Sequence, residues 1–421
     1  MTSFGGAEMS IYDRLKTVTR KYIIGDGDVV PVFTKIYFAI LVKLLSPFVH
    51  VKSGRWIFGS EMGYDYSSNS KYLFEFIQNK RPDLTPIWIS KRKSIVDLVN
   101  NSGGKAYSNY SYQGVLQILS ADVYCCSTDP ADVLFIRVDT CLIINLWHSV
   151  TIKKVVYDKW PDGAKKKKSF KNRFIGRPMF MDVDLHICSS ESQKKVLSSA
   201  FNSTNFSICG QPREDIIFEN RKVIASRVKS HLGIQNKILI LYMPTHRKYG
   251  AGNATPTLFR DHPHGRASLK DLNAVACTKN HINMKQKVDD YCDPEGVIQE
   301  ITLCGIDTQE LLIAADLLIT DYSSCYIEYL HLDRPILFFH YDNFKEEDHG
   351  LYFSEEEIMP GPILQSEDAL LAEIIKSLRE PSLFSGERRR VCEFFYKFPN
   401  GKACQRTVQA ILSLTKSSKI E

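Results

Sequence analysis

A chain of 421 residues is too long for one compact core and predicts two domains. Hydrophobic residues at 44% and charged residues at 24% exclude a disordered polypeptide. The net charge of +6 is unevenly placed, and the eleven cysteines include no CxxC pair, which excludes a zinc ribbon or a disulfide scaffold and predicts reduced thiols in a cytosolic setting.

The first twenty residues carry no apolar core region and no cleavage site, so no secretory leader is predicted. Residues 1–54 read as a basic, partly amphipathic N-terminal helical segment. Within it, Val32–Val51 is the most hydrophobic stretch, interrupted by Lys35 and Lys43 and ended by Pro47. It falls short of the roughly 18–20 apolar residues that span a bilayer. Two readings stand side by side: an interfacial helix with snorkelling lysines, or a buried helix of the first domain.

From Arg55 the pattern becomes α/β, and a first domain is predicted over residues 55–215. Trp56–Phe58, Pro86–Ile89, Ala121–Cys125 and Leu142–Trp147 read as strands, with a helix near Lys71–Gln78. The last of these strands delivers His148 at its end. Lys153–Arg177 then holds ten basic residues against Asp158 and Asp162, with Tyr157, Trp160, Phe170 and Phe174 among them. Lys153, Lys154 and the run Lys165, Lys166, Lys167, Lys168 suit an anionic substrate or an anionic membrane surface. A solvated lysine loop is the plain alternative, and no nucleic-acid module accompanies the patch. Leu185–Ile187 precedes a helix start at Ser189-Ser190-Glu191. Ser207–Cys209 leads into Gly210-Gln211-Pro212-Arg213.

A second domain is predicted over residues 216–400, with 401–421 as a terminal helix or tail. The strand Ile238–Met243 ends in Pro244-Thr245-His246-Arg247, and a polar loop is predicted from Lys248 to Gly265. Asn273–Thr278 reads as a strand ending at Lys279-Asn280-His281. The apolar run Leu317-Leu318-Ile319 ends in Thr320-Asp321-Tyr322-Ser323-Ser324, ahead of a helix and the strand Pro335–Phe339. A helical tail runs from about Glu367.

Uninterrupted apolar strands suit parallel sheets covered on both faces, and such sheets bind ligands at the C-terminal ends of their strands. Four polar clusters lie at such ends: Trp147-His148-Ser149, Pro244–Arg247, Lys279-Asn280-His281 and Thr320–Ser324. Hydroxyls and the free N–H groups of a starting helix cradle phosphate, arginine and lysine suit a diphosphate, and histidine takes a proton near neutral pH. The set lacks a paired-carboxylate spacing, a Walker lysine loop, a GxSxG elbow and an HExxH helix, which argues against glycosidase, kinase, α/β-hydrolase and zincin chemistry.

Taken as a set, these clusters resemble the CDP-glycerol:poly(glycerophosphate) glycerophosphotransferase family over residues 55–400. Ala315-Asp316 through Asp342 resembles the family's LITDYSS stretch, and Trp147-His148-Ser149 with Lys153 its tryptophan–histidine motif. Gly210-Gln211-Pro212-Arg213-Glu214-Asp215, Pro244-Thr245-His246-Arg247, Lys279-Asn280-His281 and Gly361-Pro362 resemble its other motifs, in the family's order. Ser149 stands for the usual glycine, His246 for an aromatic and Glu328 for an aspartate, and no proline follows His281.

The resemblance implies a GT-B fold, two Rossmann-like doubly wound domains facing a central cleft, with the acceptor on the first domain and the nucleotide on the second. It implies transfer of glycerol phosphate from CDP-glycerol, or a related CDP-alditol, to a lipid-linked or polymer acceptor, with release of CMP. The setting would be teichoic-acid-like wall or capsule polymer synthesis at the cytoplasmic face of the membrane. His148 would be the base on the acceptor hydroxyl and His281 the acid or electrostatic partner at the diphosphate. Arg213, Thr245, Arg247, Lys279, Thr320, Asp321, Ser323 and Ser324 would hold the donor, and Glu328 its ribose. Ser149, Lys153, Lys154 and Lys165–Lys168 would face the acceptor or the membrane. No metal, other cofactor or nucleic acid is expected. The rival readings are a CDP-ribitol donor, a nucleotide-sugar glycosyltransferase of the same fold, and a non-catalytic membrane-associated scaffold.

Overall fold

The computed structural model describes residues 40–42, 44–133, 141–159, 183–245, 257–280, 293, 295–342 and 350–417. The first sheet comprises β1 (Lys52–Gly59), β2 (Thr85–Ser90), β3 (Ala106–Ser108), β4 (Ala121–Cys126), β5 (Leu142–Asn145), β6 (Leu185–Cys188) and β7 (Phe206–Ile208). Their spatial order is β3-β2-β1-β4-β5-β6-β7, and every neighbouring pair is parallel. The run Trp56-Ile57-Phe58 explains why both faces must be covered. Successive side chains point to opposite faces, so Trp56 and Phe58 enter one core with Trp88 and Ile144 while Ile57 enters another with Ile87 and Ile143.

The second sheet comprises β8 (Ile238–Met243), β9 (Ala274–Thr278), β10 (Ile298–Glu300), β11 (Leu317–Thr320), β12 (Ile336–Phe339) and β13 (Ile363–Leu364). Its order, β10-β9-β8-β11-β12-β13, is again entirely parallel. Both sheets are therefore doubly wound, as the resemblance implies. Each reverses its strand order beside its first strand, where such sheets open a crevice for ligands.

The turn Pro212–Phe218 carries the chain from the first sheet to the second. The chain then returns. The helix Ser385–Phe395 packs Val391 and Phe395 into the second domain, whereas the helix Ala403–Ser417 packs Cys404, Val408 and Ile411 among Trp56, Leu73 and Trp88 of the first. Asp215 anchors that return by accepting the Ala403 and Cys404 N–H groups, both at 2.8 Å. A carboxylate at a helix start satisfies orphan donors and complements the helix dipole.

Two local expectations change. The polar loop does not reach Gly265, because the helix Pro263–Asp271 has already begun. His262 caps it, its Nδ1 accepting the Gly265 N–H at 2.8 Å, with Pro263 in the first turn. β5 stops at Asn145 and not at Trp147, because Trp147 adopts a left-handed backbone (φ 54°) and donates its N–H to Asn145 Oδ1 at 2.8 Å.

One buried histidine makes stability pH-dependent. The His186 ring lies between Phe201 and Phe206, with centroids at 4.9 and 4.8 Å, and burial pulls its pKa down from 6.5 to about 4. The unfolded chain therefore takes up a proton that the fold refuses. The contribution is whole above pH 6.5 and is lost as pH falls through about 4. Urea midpoints of the wild type should drop across that window more steeply than those of His186→Phe. Parallel curves would show that His186 is not the titrating group.

Candidate functional site

The described residues of the four polar clusters sit at or follow the C-terminal ends of β5, β8, β9 and β11. Beyond β5, Trp147 is locked on several sides. Its indole N–H donates to Thr151 Oγ1 at 2.8 Å, Gln193 holds the Thr151 carbonyl at 3.0 Å, and its ring meets Phe201 at 4.8 Å. A bulky residue in the left-handed region is strained and persists only where its surroundings over-determine it. That frame fixes the next residue, His148, which is half-buried with its ring 4.1 Å from the Trp147 ring. The positive φ falls on Trp147 and not on Ser149, so serine replaces the family's glycine without backbone strain.

Nothing in the sequence marked Asn69, yet it joins the parts of the site. It is fully buried in the first turn of the helix Ser68–Lys80. Its Nδ2 donates to the carbonyls of Trp147 (2.7 Å) and Leu146 (3.1 Å) and contacts Gln211 Oε1, while its Oδ1 accepts the Arg213 N–H at 3.1 Å. An asparagine at a helix start looks like an ordinary cap residue, so its sequence carries no warning of this role.

Arg213 joins the two domains. Its Nη1 donates to the His148 carbonyl and its Nη2 to Glu328 Oε1. Glu328 lies in the helix Cys325–Tyr329, directly after the Ser323-Ser324 turn, and its Oε2 accepts from Gln309 Nε2. Burial raises the Glu328 carboxyl to about 7 against the opposing pull of Arg213. Both Glu328 oxygens are thus engaged by protein groups, and its side chain is 5% exposed. The ribose contact implied by the resemblance would have to share these oxygens with Arg213 and Gln309.

Other interdomain bonds flank that pair. Lys71 meets Asp307 at 2.8 Å, and Glu214 takes His331 at 3.3 Å and the Tyr396 hydroxyl at 2.6 Å. Burial lowers the affinity of His331 for its proton, but bonds to Cys392 and Glu214 outweigh it and raise the imidazole to about 9. The strip around Lys153 crosses as well. Lys153 bridges Leu351, Lys154 N–H donates to the Gly350 carbonyl at 3.0 Å, and Val150 and Ile152 enter the second domain's core.

On the second domain, Asp321 is fully buried and its Oδ1 accepts Thr245 N–H (2.8 Å), Thr245 Oγ1 (2.6 Å) and Tyr322 N–H (2.6 Å). Thr320 Oγ1 donates to the Met243 carbonyl at 2.7 Å. These bonds tie the ends of β8 and β11 together, so Thr320 and Asp321 shape the loops. Ser323 Oγ accepts the Cys325 N–H at 3.4 Å, whereas Ser324 makes no side-chain cap bond. Both serines are half-buried at the start of the helix. Lys279 continues β9, two strands away from β11, its N–H donating to the Tyr242 carbonyl at 2.8 Å. His281, Arg247 and Lys165–Lys168 lie outside the described residues, as does His246. Among the described residues, no group of three or more His, Cys, Asp or Glu comes together to hold a metal ion.

Comparison with known proteins identifies the family and the fold. The model of a family described as CDP-Glycerol:Poly(glycerophosphate) glycerophosphotransferase covers residues 40–413. The teichoic acid poly(glycerol phosphate) polymerase of Bacillus subtilis (strain 168) is 26% identical over 359 residues, covering 83% of this chain and 47% of that protein. The chain thus spans about half of that relative's length. The teichoic acid glycerol-phosphate transferase of Staphylococcus aureus is 25% identical, covering 84% of this chain and 92% of the relative. The teichoic acid poly(ribitol-phosphate) polymerase of Bacillus spizizenii is 26% identical, covering 89% and 58%. Among solved structures, a variant of the wall teichoic acid polymerase TagF superposes with a TM-score of 0.75 at 21% identity, covering 98% of this chain and 100% of that one. At that identity the likeness speaks for the fold.

Proposed function

The chain belongs to the CDP-glycerol:poly(glycerophosphate) glycerophosphotransferase family, and from that membership we propose that it transfers glycerol phosphate from CDP-glycerol to a hydroxyl of a lipid-linked or polymer acceptor, releasing CMP. The observation that carries this reading is the placement of His148. It stands at a strained, fully braced strand end and is joined through Arg213 to the helix that follows the Ser323-Ser324 turn.

In the proposed reaction the acceptor oxygen attacks the β-phosphorus of the donor. The bond from that phosphorus to the bridging oxygen breaks, CMP leaves with the electron pair, and His148 takes the hydroxyl proton. Such transition states are loose and need positioning and charge stabilisation more than covalent help. Ser323, Ser324 and Lys279 would hold the diphosphate, with His281 and Arg247 beside it. Cationic and hydrogen-bonding groups would serve there without a metal.

A donor panel tests the reading. CMP should appear with CDP-glycerol, and release of UDP from a nucleotide sugar with no CMP would overturn it. CDP-ribitol belongs in the same panel, given the likeness to the ribitol-phosphate polymerase. A non-catalytic scaffold would show no thermal shift with CDP.

The N-terminal segment supports a peripheral place on the cytoplasmic face of the membrane. Val42 is buried and Leu41 and Leu45 pack against the first domain, while Ile40, Leu44 and Phe48, four residues apart, are 53%, 63% and 80% exposed. No helix among the described residues is long and apolar enough to cross a membrane. An exposed apolar stripe of this kind suits the headgroup boundary of a bilayer. The full chain should co-sediment with vesicles containing phosphatidylglycerol, and Leu44→Ser with Phe48→Ser should weaken that binding several-fold. Unchanged binding would remove this segment from the membrane contact.

A further inference from the structure

We infer that Glu328 is a positioning residue for His148: held by Gln309 and acting through Arg213, it makes the placement of the first domain's histidine depend on the helix at the second domain's phosphate turn.

The chain of contacts is continuous and buried. Gln309 Nε2 donates to Glu328 Oε2, Glu328 Oε1 accepts from Arg213 Nη2, and Arg213 Nη1 donates to the carbonyl of His148 itself. The Arg213 and Glu328 side chains are 11% and 5% exposed, so water competes little for either. Asn69 completes the link by holding the Arg213 N–H and the Trp147 carbonyl with one amide. Arg213 is therefore fixed at its backbone by the first domain, and its guanidinium spans from the His148 carbonyl to Glu328 of the second.

Glu328 sits four residues beyond Ser324 on the same short helix. A shift of that helix on filling the Ser323-Ser324 turn passes directly to Arg213 and so to the His148 carbonyl. A buried ion pair whose two terminal nitrogens and two carboxylate oxygens are each held has few alternative geometries, which is what a relay of position requires. The role rests on the reading above in naming His148 as the proton acceptor and the Ser323-Ser324 turn as the phosphate site; the mechanical link stands on the contacts.

The test uses the full-length protein with 13C-labelled histidine. The His148 resonance is assigned by its loss in His148→Gln. Glu328→Gln, which keeps the size and removes the charge, should shift that resonance with no donor present. In turnover assays it should lower kcat on the order of 10²-fold, the cost of a small misplacement at a reacting centre. Its Kd for CDP should stay within about threefold, since the relay touches no nucleotide atom in this assignment. Glu328→Asp, which retains the charge, should recover part of the loss. Gln309→Met leaves the ion pair in place and should give the same pattern more weakly, which keeps the test open if Glu328→Gln folds poorly.

A Kd for CDP that rises in step with an unchanged kcat would overturn the assignment and make Glu328 a nucleotide ligand. An unmoved His148 resonance would overturn it as well. If the wild type does not turn over CDP-glycerol, the proposed activity fails, while the resonance experiment still decides the relay.

Discussion

A folded His148→Ala protein is expected to release CMP about 10²–10⁴-fold more slowly than the wild type while binding CDP unchanged, the usual worth of general acid–base help. The groups that hold the loop act on Trp147 and on backbone atoms: Asn69 on the Trp147 carbonyl, Arg213 on the His148 carbonyl, Thr151 on the indole. None of these contacts uses the imidazole, so alanine keeps them while removing the proton acceptor and its ring contact with Trp147. Thermal midpoints of the two proteins show what that ring contact contributes to stability. Calorimetry with CDP and a coupled assay for CMP measure the two quantities separately. Transfer within tenfold of the wild type by a well-folded variant would end the proposed role.

Arg213→Ala should produce the largest loss of stability. It leaves Glu328 buried without its cation, and breaking a buried pair by removing one partner costs about 3–5 kcal/mol. The deficit should depend on pH with a definite sign. The Glu328 carboxyl is raised in the fold from 4.5 to about 7, so its contribution to stability is whole below 4.5 and is lost as pH rises through about 7. Arg213 is the main group that opposes this rise, with a smaller part from the Gln309 hydrogen bond. Its removal therefore matters most where Glu328 would otherwise be ionised, and the deficit in urea midpoint should be larger at pH 8 than at pH 5. Equal deficits at the two pH values would show that Arg213 stabilises by packing alone. The double substitution Arg213→Met with Glu328→Leu should recover most of the stability, because apolar residues often replace a buried pair without loss. It should not recover turnover, since the His148 carbonyl has then lost its donor.

The central strands were legible because they are buried on both faces and so carry continuous apolar runs, whereas the short, partly exposed β3, β10 and β13 carry none. β8 and β11 are almost wholly apolar, and their polar ends, Thr245 and Thr320–Ser324, lie where parallel sheets place ligand loops. Strand limits were less legible. Leu146 and Trp147 continue the apolar run beyond β5, and only the left-handed turn held by Asn145 ends it. The helix at Pro263 was hidden because its cap is a histidine, outside the residues that usually start helices. The terminal helix was legible as a helix, but its amphipathic pattern does not say which core it enters.

Residue type and local spacing by themselves determined the two doubly wound sheets, the strand ends that carry polar clusters, the family, and His148, Ser323 and Ser324 as candidate residues. Both apolar runs and the motifs at their ends are written within a few consecutive residues. Tertiary structure decided what the polar groups touch. It gave Asp321 to the Thr245 turn, set Glu328 against Arg213, and placed Asn69 and Gln309 in the frame around His148. Arg213 and Glu328 are 115 residues apart in the chain, and Asn69 and Arg213 are 144 apart. Periodicity shows that a side chain turns inward; the folding of one domain against the other selects which buried partner satisfies it.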